Sequence, residues 1–256
     1  MDTVTVEQDG HVAEIVLNRP EALNAISTEL ARQLASVCAE VGADPSVRAV
    51  VLAAAGAKAF CVGADLKERK RMTNEEIFAQ RPVFHAAFSG VRNLPQPVVA
   101  AVHGYALGGG CEFALSADII VADETAVFGL PEVTVGLVPG GGGTQLAPRR
   151  IGPGKAAEMI FTGRHLGAEE ALAYGIADHS VPAGMAREKA RTIAGMIAKN
   201  SPVAVRAAKK AMRRGDGVDL EAGIDLEENA WRTAASSADR REGITAFNEK
   251  RAPNWA

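Results

Sequence analysis

Two glutamates set in apolar surroundings are the residues best suited to do chemistry. Glu112 follows Gly108-Gly109-Gly110-Cys111 inside the stretch Leu107–Leu115, and Glu132 follows Pro131 between Ala126 and Val138. A carboxylate seldom enters such a stretch without a partner, because taking its charge out of water is costly. If both face one pocket, burial and mutual repulsion drive their ionisation apart, leaving one as acid and the other as base. The bland alternative is a helix-start glutamate held by the dipole and a surface glutamate beside a turn proline. The glycines offer a second choice of the same kind. A helix starting at Gly108–Gly110 exposes unpaired N–H groups where no Cβ keeps a ligand away, which is the physics of an oxyanion hole. The same glycines would equally permit a tight turn and close helix packing.

Other chemistries find less support. The glycine-centred segments at 59–66, 104–112 and 128–143 contain no GxxxxGK(S/T), no GxGxxG between strand and helix, and no GxSxG elbow. Cys111, with His103 eight residues earlier, invites a thiol nucleophile, but nothing fixes such a contact and Cys is often a small buried hydrophobe. Five histidines without HExxH spacing and three scattered cysteines leave no metal site to expect. Arg206, Lys210, Arg213 and Arg214 fall near one helix face and read as a solvated stripe rather than a phosphate-binding surface. Trp231 and Trp255 read as packing residues.

The elements that must position these residues follow from periodicity. Val4–Glu7 and Val12–Leu17 read as strands on either side of Asp9-Gly10, a hairpin signal. Leu30, Leu34, Val37 and Val41 share a helix face, with Ser27 or Thr28 as N-cap. Ala49–Ala53, Val98–Val102, Asp118–Val121 and Thr125–Phe128 read as short strands, and Thr73-x-x-Glu76 as a capping box opening a helix toward Val91. Helices are predicted over about 143–150, 155–161, 168–174, 184–199, 202–214, 218–235 and 238–250, with Pro202 at N1 and Gly175 past a helix end. The expected organisation is an α/β core over 1–200 and a helical segment over 201–256, packed on the core or on a neighbouring subunit.

Composition narrows the partners. The 256 residues are 47% hydrophobic and 23% charged, ordinary for a globular chain, and the formal charge of -3 gives no pull toward nucleic acid or anionic membrane. Asn93–Cys111 is uncharged over 19 positions, but its prolines and glycines would leave backbone groups unsatisfied in lipid. Neither nucleic acid nor membrane is therefore an expected partner. Sparse cysteines and the absence of a signal-like start point to a reducing compartment, the bacterial cytoplasm, although a trimmed mitochondrial form would look the same.

Taken together and in order, these segments resemble the enoyl-CoA hydratase/isomerase (crotonase) superfamily almost end to end. Asn18-Arg19-Pro20-Glu21-Ala22-Leu23-Asn24-Ala25 is similar to its NRP-x-x-x-NA segment near the coenzyme A pantetheine and phosphates. Phe60–Glu68 resembles its AGAD loop, Gly104–Glu112 its GGGCE helix start, and Asp239–Phe247 with Glu249-Lys250-Arg251 its C-terminal signature. The resemblance puts two oxyanion-hole donors on the backbone N–H of Ala64 and Gly109, and the catalytic pair on Glu112 and Glu132. It implies coenzyme A and substrate contacts from Ala22, Ala59, Phe60, Val62, Gly63, Asp65, Leu66, Lys67, Gly108, Pro131 and Gly140. Phe247 and Lys250 would approach the nucleotide end, within reach of a neighbouring subunit's site.

The implied fold is a strand–strand–helix superhelix with a helical C-terminal trimerisation segment, assembled as a homotrimer or dimer of trimers. No cofactor would be bound permanently; coenzyme A arrives as part of the thioester substrate. The implied activity is a hydro-lyase: syn addition of water across the 2,3 double bond of a trans-2-enoyl-CoA, as in fatty-acid β-oxidation or related acyl-CoA catabolism. A 3,2-enoyl-CoA isomerase or another acyl-CoA lyase is the alternative within the family. A scaffolding or RNA-associating protein with a decayed site is opposed by the intact Glu112, Glu132 and Gly109. Departures from the pattern are Val62, His103, Leu130 and Trp255; Leu130 and the segment Arg69–His85 are expected to line the acyl end, and Val62 to narrow the mouth.

Overall fold

The computed structural model describes residues 2–255. Strands β1 (Val4–Asp9) and β2 (Val12–Leu17) form the expected hairpin, in register from Val4↔Leu17 to Asp9↔Val12. Its turn is Gly10-His11, one place later than the Asp9-Gly10 reading. Gly10 has φ 56° and His11 does not turn positive, the signature of a type II′ turn with glycine first. The chain then coils, adding strands alternately to two sheets. β3 (Ala49–Ala54) lies parallel to β2, and β4 (Ala59–Cys61) leaves for the second sheet. β5 (Val98–Val102) returns beside β3 and β6 (Tyr105–Leu107) beside β4; β7 (Ile119–Asp123) joins β5 and β8 (Val127–Gly129) joins β6. With β9 (His165–Gly167) and β10 (His179–Val181), the sheets run β1-β2-β3-β5-β7-β10 and β4-β6-β8-β9. Strands β4, β6, β9 and β10 are three residues each and escape any period-two pattern.

Helices close the turns of this coil. α1 (Thr28–Ala43) starts at Ser27, whose Oγ accepts from the Leu30 N–H, and buries Leu30, Leu34 and Val41 as the spacing requires. A short α2 (Leu66–Arg69) precedes α3 (Asn74–Arg92), which opens on the reciprocal Thr73–Glu76 capping box. α4 (Gly109–Ser116) is buried at every position. α5 (Gly143–Ile151), α6 (Pro153–Thr162) and α7 (Ala168–Tyr174) follow, the last ending at left-handed Gly175. α8 (Ala186–Ala198) lays Ala186, Ala190, Ala194 and Ala198 across the outer face of the larger sheet, against Val16, Val51 and Val99. The alternate strand residues Ile15, Leu17, Val50 and Leu52 enter the main core, so these strands are buried on both faces and read as unbroken apolar runs.

α9 (Pro202–Gly215), α10 (Leu220–Ala235) and α11 (Ala238–Glu249) make up the helical C-terminal region. The basic stripe on α9 is not the solvated face expected. Arg206 donates to the Val47 carbonyl (2.8 Å), and Arg213 reaches both Asp118 and the Ser116 carbonyl. Lys209 joins them, paired with Asp118 at 2.7 Å. A single carboxylate at the start of β7 thus gathers two cations from α9 and fastens the region to the core, whereas Lys210 and Arg214 stay exposed. Trp231 also departs from expectation: it is 65% exposed, and Leu220 and Phe247 in the same C-terminal region are bare as well. Trp255 does pack, its indole N–H donating to the Lys199 carbonyl. Among the described residues no helix is long and apolar enough to cross a membrane.

Candidate active site

Three segments from successive turns of the coil meet at a cavity of about 800 Å³. The first is the loop after β4. Gly63 (φ 84°) swings the chain out of the strand, and its carbonyl accepts from the Ile26 N–H while the Asp65 N–H donates to the Ile26 carbonyl. Ala64 lies between these bonds, and its own N–H donates to no group among the described residues. The loop is held from behind by the Asn18–Ala25 segment. The wholly buried Asn24 accepts from the Arg19 N–H and donates to the Ala55 and Ala59 carbonyls, and Arg19 pairs with Asp65 at 3.1 Å. Asp65 then caps α2 by accepting from the Lys67 and Glu68 N–H groups.

The second segment joins β6 to α4. Gly108 stands at φ 52°, ψ -124°, a conformation closed to residues with a Cβ. A Cβ on Gly63 would lie 3.1 Å from the Gly109 nitrogen and 3.6 Å from the Gly108 Cα, so the two loops touch backbone to backbone. A Cβ on Gly110 would fall 1.9 Å from the Cys61 carbonyl oxygen; α4 can start here only because that atom is missing. The Gly109 N–H, at the first helical position, has no intrahelical acceptor and borders the cavity beside Ala64.

The third component is the pair of carboxyl groups. Glu112, one turn into α4, is 2% exposed, and its Oε1 accepts from the Gly141 N–H (2.6 Å) and the Gly143 N–H (2.8 Å). Burial raises its pKa, while the amides of the 141–143 loop and the Arg81 charge pull the other way. Glu132 sits in the single helical turn Pro131–Val135 after β8, half-buried, with its Oε2 enclosed and unpartnered among the described residues. Burial, opposed by its own amide and reinforced by the Glu112 charge, pushes Glu132 up to about 7. A Cβ on Gly108 would touch Glu132 Oε1 at 3.1 Å, so this carboxyl overhangs the start of α4. One glutamate is fixed by a cradle of amides; the other keeps a free oxygen and titrates near neutrality.

Val62, Gly63, Ala64, Leu66, Gly108, Gly109, Glu112, Pro131, Glu132 and Gly140 all border this cavity. Ala22, Asp65 and Lys67 do not; the last two edge a separate small hollow. Ala59 and Phe60 are buried in the core, so their side chains cannot meet a ligand. Phe247 and Lys250, on and just past α11, are exposed and lie away from their own chain's cavity. Leu130 corrects an expectation: it is 0% exposed and packs under Gly143, beneath Glu112 rather than along an acyl channel. Cys111 is equally enclosed, its thiol pushed up by burial, and is no nucleophile.

Sequence reasoning missed the loop that holds Glu112, taking only Gly140 from the run Pro139–Gly143. The available signal was a proline and four glycines directly before a helix, a ready set of free amides. It anticipated the 69–85 wall but not how far that wall extends. Ile77, Arg81, Phe84, Phe88 and Arg92 line one face of α3, continuing past residue 85.

Two backbone amides without an acceptor among the described residues lie on one cavity with two differently held carboxyl groups, a set of groups that could move protons next to a polarised carbonyl. Comparison with known proteins points the same way. The family described as enoyl-CoA hydratase/isomerase matches residues 7–256. The chain therefore belongs to the enoyl-CoA hydratase/isomerase family, and its α/β fold with parallel sheets and a helical C-terminal region is that of the crotonase structures. It is 40% identical over 251 residues to the short-chain-enoyl-CoA hydratase of Clostridium acetobutylicum, covering 98% of this chain and 96% of that protein. The crystal structure of enoyl-CoA hydratase from Bacillus anthracis superposes with a TM-score of 0.96 at 43% identity, covering 99% of this chain and 98% of that one. The enoyl-CoA hydratase from Mycobacterium tuberculosis H37Rv gives 0.91 at 36% identity, covering 100% and 99%.

Proposed function

We propose that the protein is an enoyl-CoA hydratase, adding water syn across the 2,3 double bond of a trans-2-enoyl-CoA to give the 3-hydroxyacyl thioester. The observation that carries this reading is the unequal hydrogen bonding of two glutamates on one cavity, next to two amides with no acceptor among the described residues. The thioester oxygen accepts from Ala64 and Gly109, which draws electrons from C3. Glu112, its charge supported by the 141–143 amides, takes a proton from water as the water oxygen bonds to C3. The π electrons move toward the thioester, and Glu132 delivers its proton to C2. Glu112 ends protonated and Glu132 ionised; proton exchange with solvent resets the pair. A positioned acid or base contributes about 10²–10⁴-fold, and one donor to a developing oxyanion about 2.7–4 kcal/mol.

Coenzyme A belongs to the substrate in this scheme, and no resident cofactor takes part. Self-association as a trimer or dimer of trimers is part of the proposal, supported by the bare apolar side chains of α10 and α11, among them Trp231 and Phe247. A reducing compartment such as the bacterial cytoplasm is supported by three unpaired, buried cysteines. Such a reaction would suit β-oxidation or related acyl-CoA breakdown, and that role is part of the proposal.

Loss of conjugated-thioester absorbance across a panel of enoyl-CoA thioesters of differing chain length tests the reading. Turnover of at least one with formation of the 3-hydroxyacyl product supports it; coenzyme A thioester binding without any turnover rejects it. A second reading, 3,2-enoyl-CoA isomerisation, is favoured by the free Glu132 Oε2 and its pKa near 7, which suit a lone proton shuttle. Formation of conjugated thioester from a 3-enoyl-CoA, without hydration of the 2-enoyl isomer, would select it.

A further inference from the structure

The wall of the cavity formed by α2 and α3 carries charges that a hydrocarbon acyl chain does not need. Among Ile77, Phe84 and Phe88, the guanidinium groups of Arg69 and Arg81 border the same space. Neither forms an ion pair among the described residues. Arg81 donates one Nη2 bond to the Gly140 carbonyl (2.9 Å), and Arg69 one long Nε bond to Gln80 Oε1 (3.4 Å). Their other guanidinium N–H groups have no protein acceptor among the described residues. The carboxylate nearest Arg69 in the chain, Glu68, is turned to the Thr28 N–H (2.9 Å) and the Gln80 amide (3.4 Å). Arg69 instead rests half-buried over the Phe84 ring, 5.0 Å from its centroid. Its ionisation is pulled down first by burial and then by the charge of Arg81, with the Glu68 charge opposing both. Like charges thus border one hollow with no ion-pair partner among the described residues, an arrangement that an anion in the hollow relieves.

The position of Arg81 decides which anion. It bonds to Gly140, next to the Gly141 amide that holds Glu112, and its charge is felt by Glu112 itself. A coenzyme A phosphate is separated from the thioester by the whole pantetheine arm, so it cannot reach a group beside the reacting carbons. A guanidinium fork matches a carboxylate two bonds at a time. We propose that the acyl group ends in a carboxylate a few carbons beyond the double bond, gripped by Arg81 together with Arg69. The substrate class is then a short 2-enoyl-CoA that is also a carboxylic acid. This rests on the thioester reading above and adds the identity of the acyl end.

Saturated thioesters, which cannot be hydrated, test it by calorimetry on the intact protein: glutaryl-CoA against pentanoyl-CoA. Both carry the same coenzyme A, so their affinity ratio reports the acyl end alone. The expected result is glutaryl-CoA tighter by at least about tenfold in the wild type, as charge-assisted hydrogen bonds imply. That ratio should fall toward one in Arg81→Met and in Arg69→Met, with Arg81→Lys keeping part of it. Two variants guard against one failing to fold. A wild-type ratio near one, or a ratio untouched in both methionine variants, overturns the proposal. Hydration of crotonyl-CoA and glutaconyl-CoA, followed alongside, separates the claims. A preserved ratio without turnover rejects the hydratase and keeps the anion site; turnover with a ratio of one does the reverse.

Discussion

Glu112 and Glu132 are the same residue type on one cavity, yet the segments that carry them could hardly differ more. The helix bearing Glu112 is buried at every position and its carboxylate is tied to two loop amides. The turn bearing Glu132 runs into the exposed stretch Thr134–Val138, and one of its oxygens has no partner among the described residues. The contrast teaches that burial pushes both carboxyl groups up, and that the amides offered to a buried charge oppose that push. Four measurements press on the difference.

The largest effect belongs to the carboxyl groups themselves. Glu112→Gln and Glu132→Gln are each expected to cut crotonyl-CoA hydration by about 10²–10⁴-fold while thioester binding persists. Equal turnover by either variant and the wild type would erase the distinction altogether. Next comes Gly141→Ala, whose Cβ would meet the Phe88 ring at 2.5 Å and displace an amide from Glu112. Losing a hydrogen bond to a charged group is worth about 1.5–3 kcal/mol, so turnover should drop roughly 10–100-fold. Glu132 accepts no hydrogen bond from that loop among the described residues, so its titration should move less than that of Glu112.

Gly108→Ala crosses between the two regions, since it alters the start of α4 but crowds Glu132 Oε1 at 3.1 Å. Forcing a side chain into that backbone conformation costs about 1–3 kcal/mol. The melting temperature should fall by about 2–4 °C per kcal/mol. The smallest effect is a pH dependence. Burial raises Glu132 to about 7, so its contribution to folding is intact below the ordinary glutamate value and is lost as pH rises through about 7. Glu132→Gln removes that loss. In urea the variant should exceed the wild type by about 1–2 kcal/mol at pH 8, after allowance for solvent screening of a half-buried group, and match it near pH 4. Wild-type hydration should decline above pH about 7, where the acid has given up its proton.

How much of this was legible in the sequence depended on the range over which each feature is encoded. The α1 and α3 caps were readable at Ser27 and Thr73, because a cap is settled by residues three apart. Gly109 and Glu112 were readable as a helix start with a stranded carboxylate. The partners of that carboxylate, Gly141 and Gly143, lie about thirty residues on, and no local pattern announces them. Arg206 and Arg213 looked solvated because their acceptors, Val47 and Asp118, are brought to α9 only by the coil. Leu130 was misplaced for a similar reason: its neighbour in the chain faces the cavity, and nothing local says which of the two turns inward. The Asn18–Ala25 segment was assigned to the ligand, but Asn24 spends its amide on the loop behind Ala64.

The touching glycines at 63 and 108–109 make the site a seam between storeys of a spiral stair. The gap between the two amides is set by the thickness of bare main chain, not by any span of chain linking them. The connections on either side of α3 can therefore vary in length while the clamp keeps its gauge, provided Phe88 stays against Gly109 and Gly141.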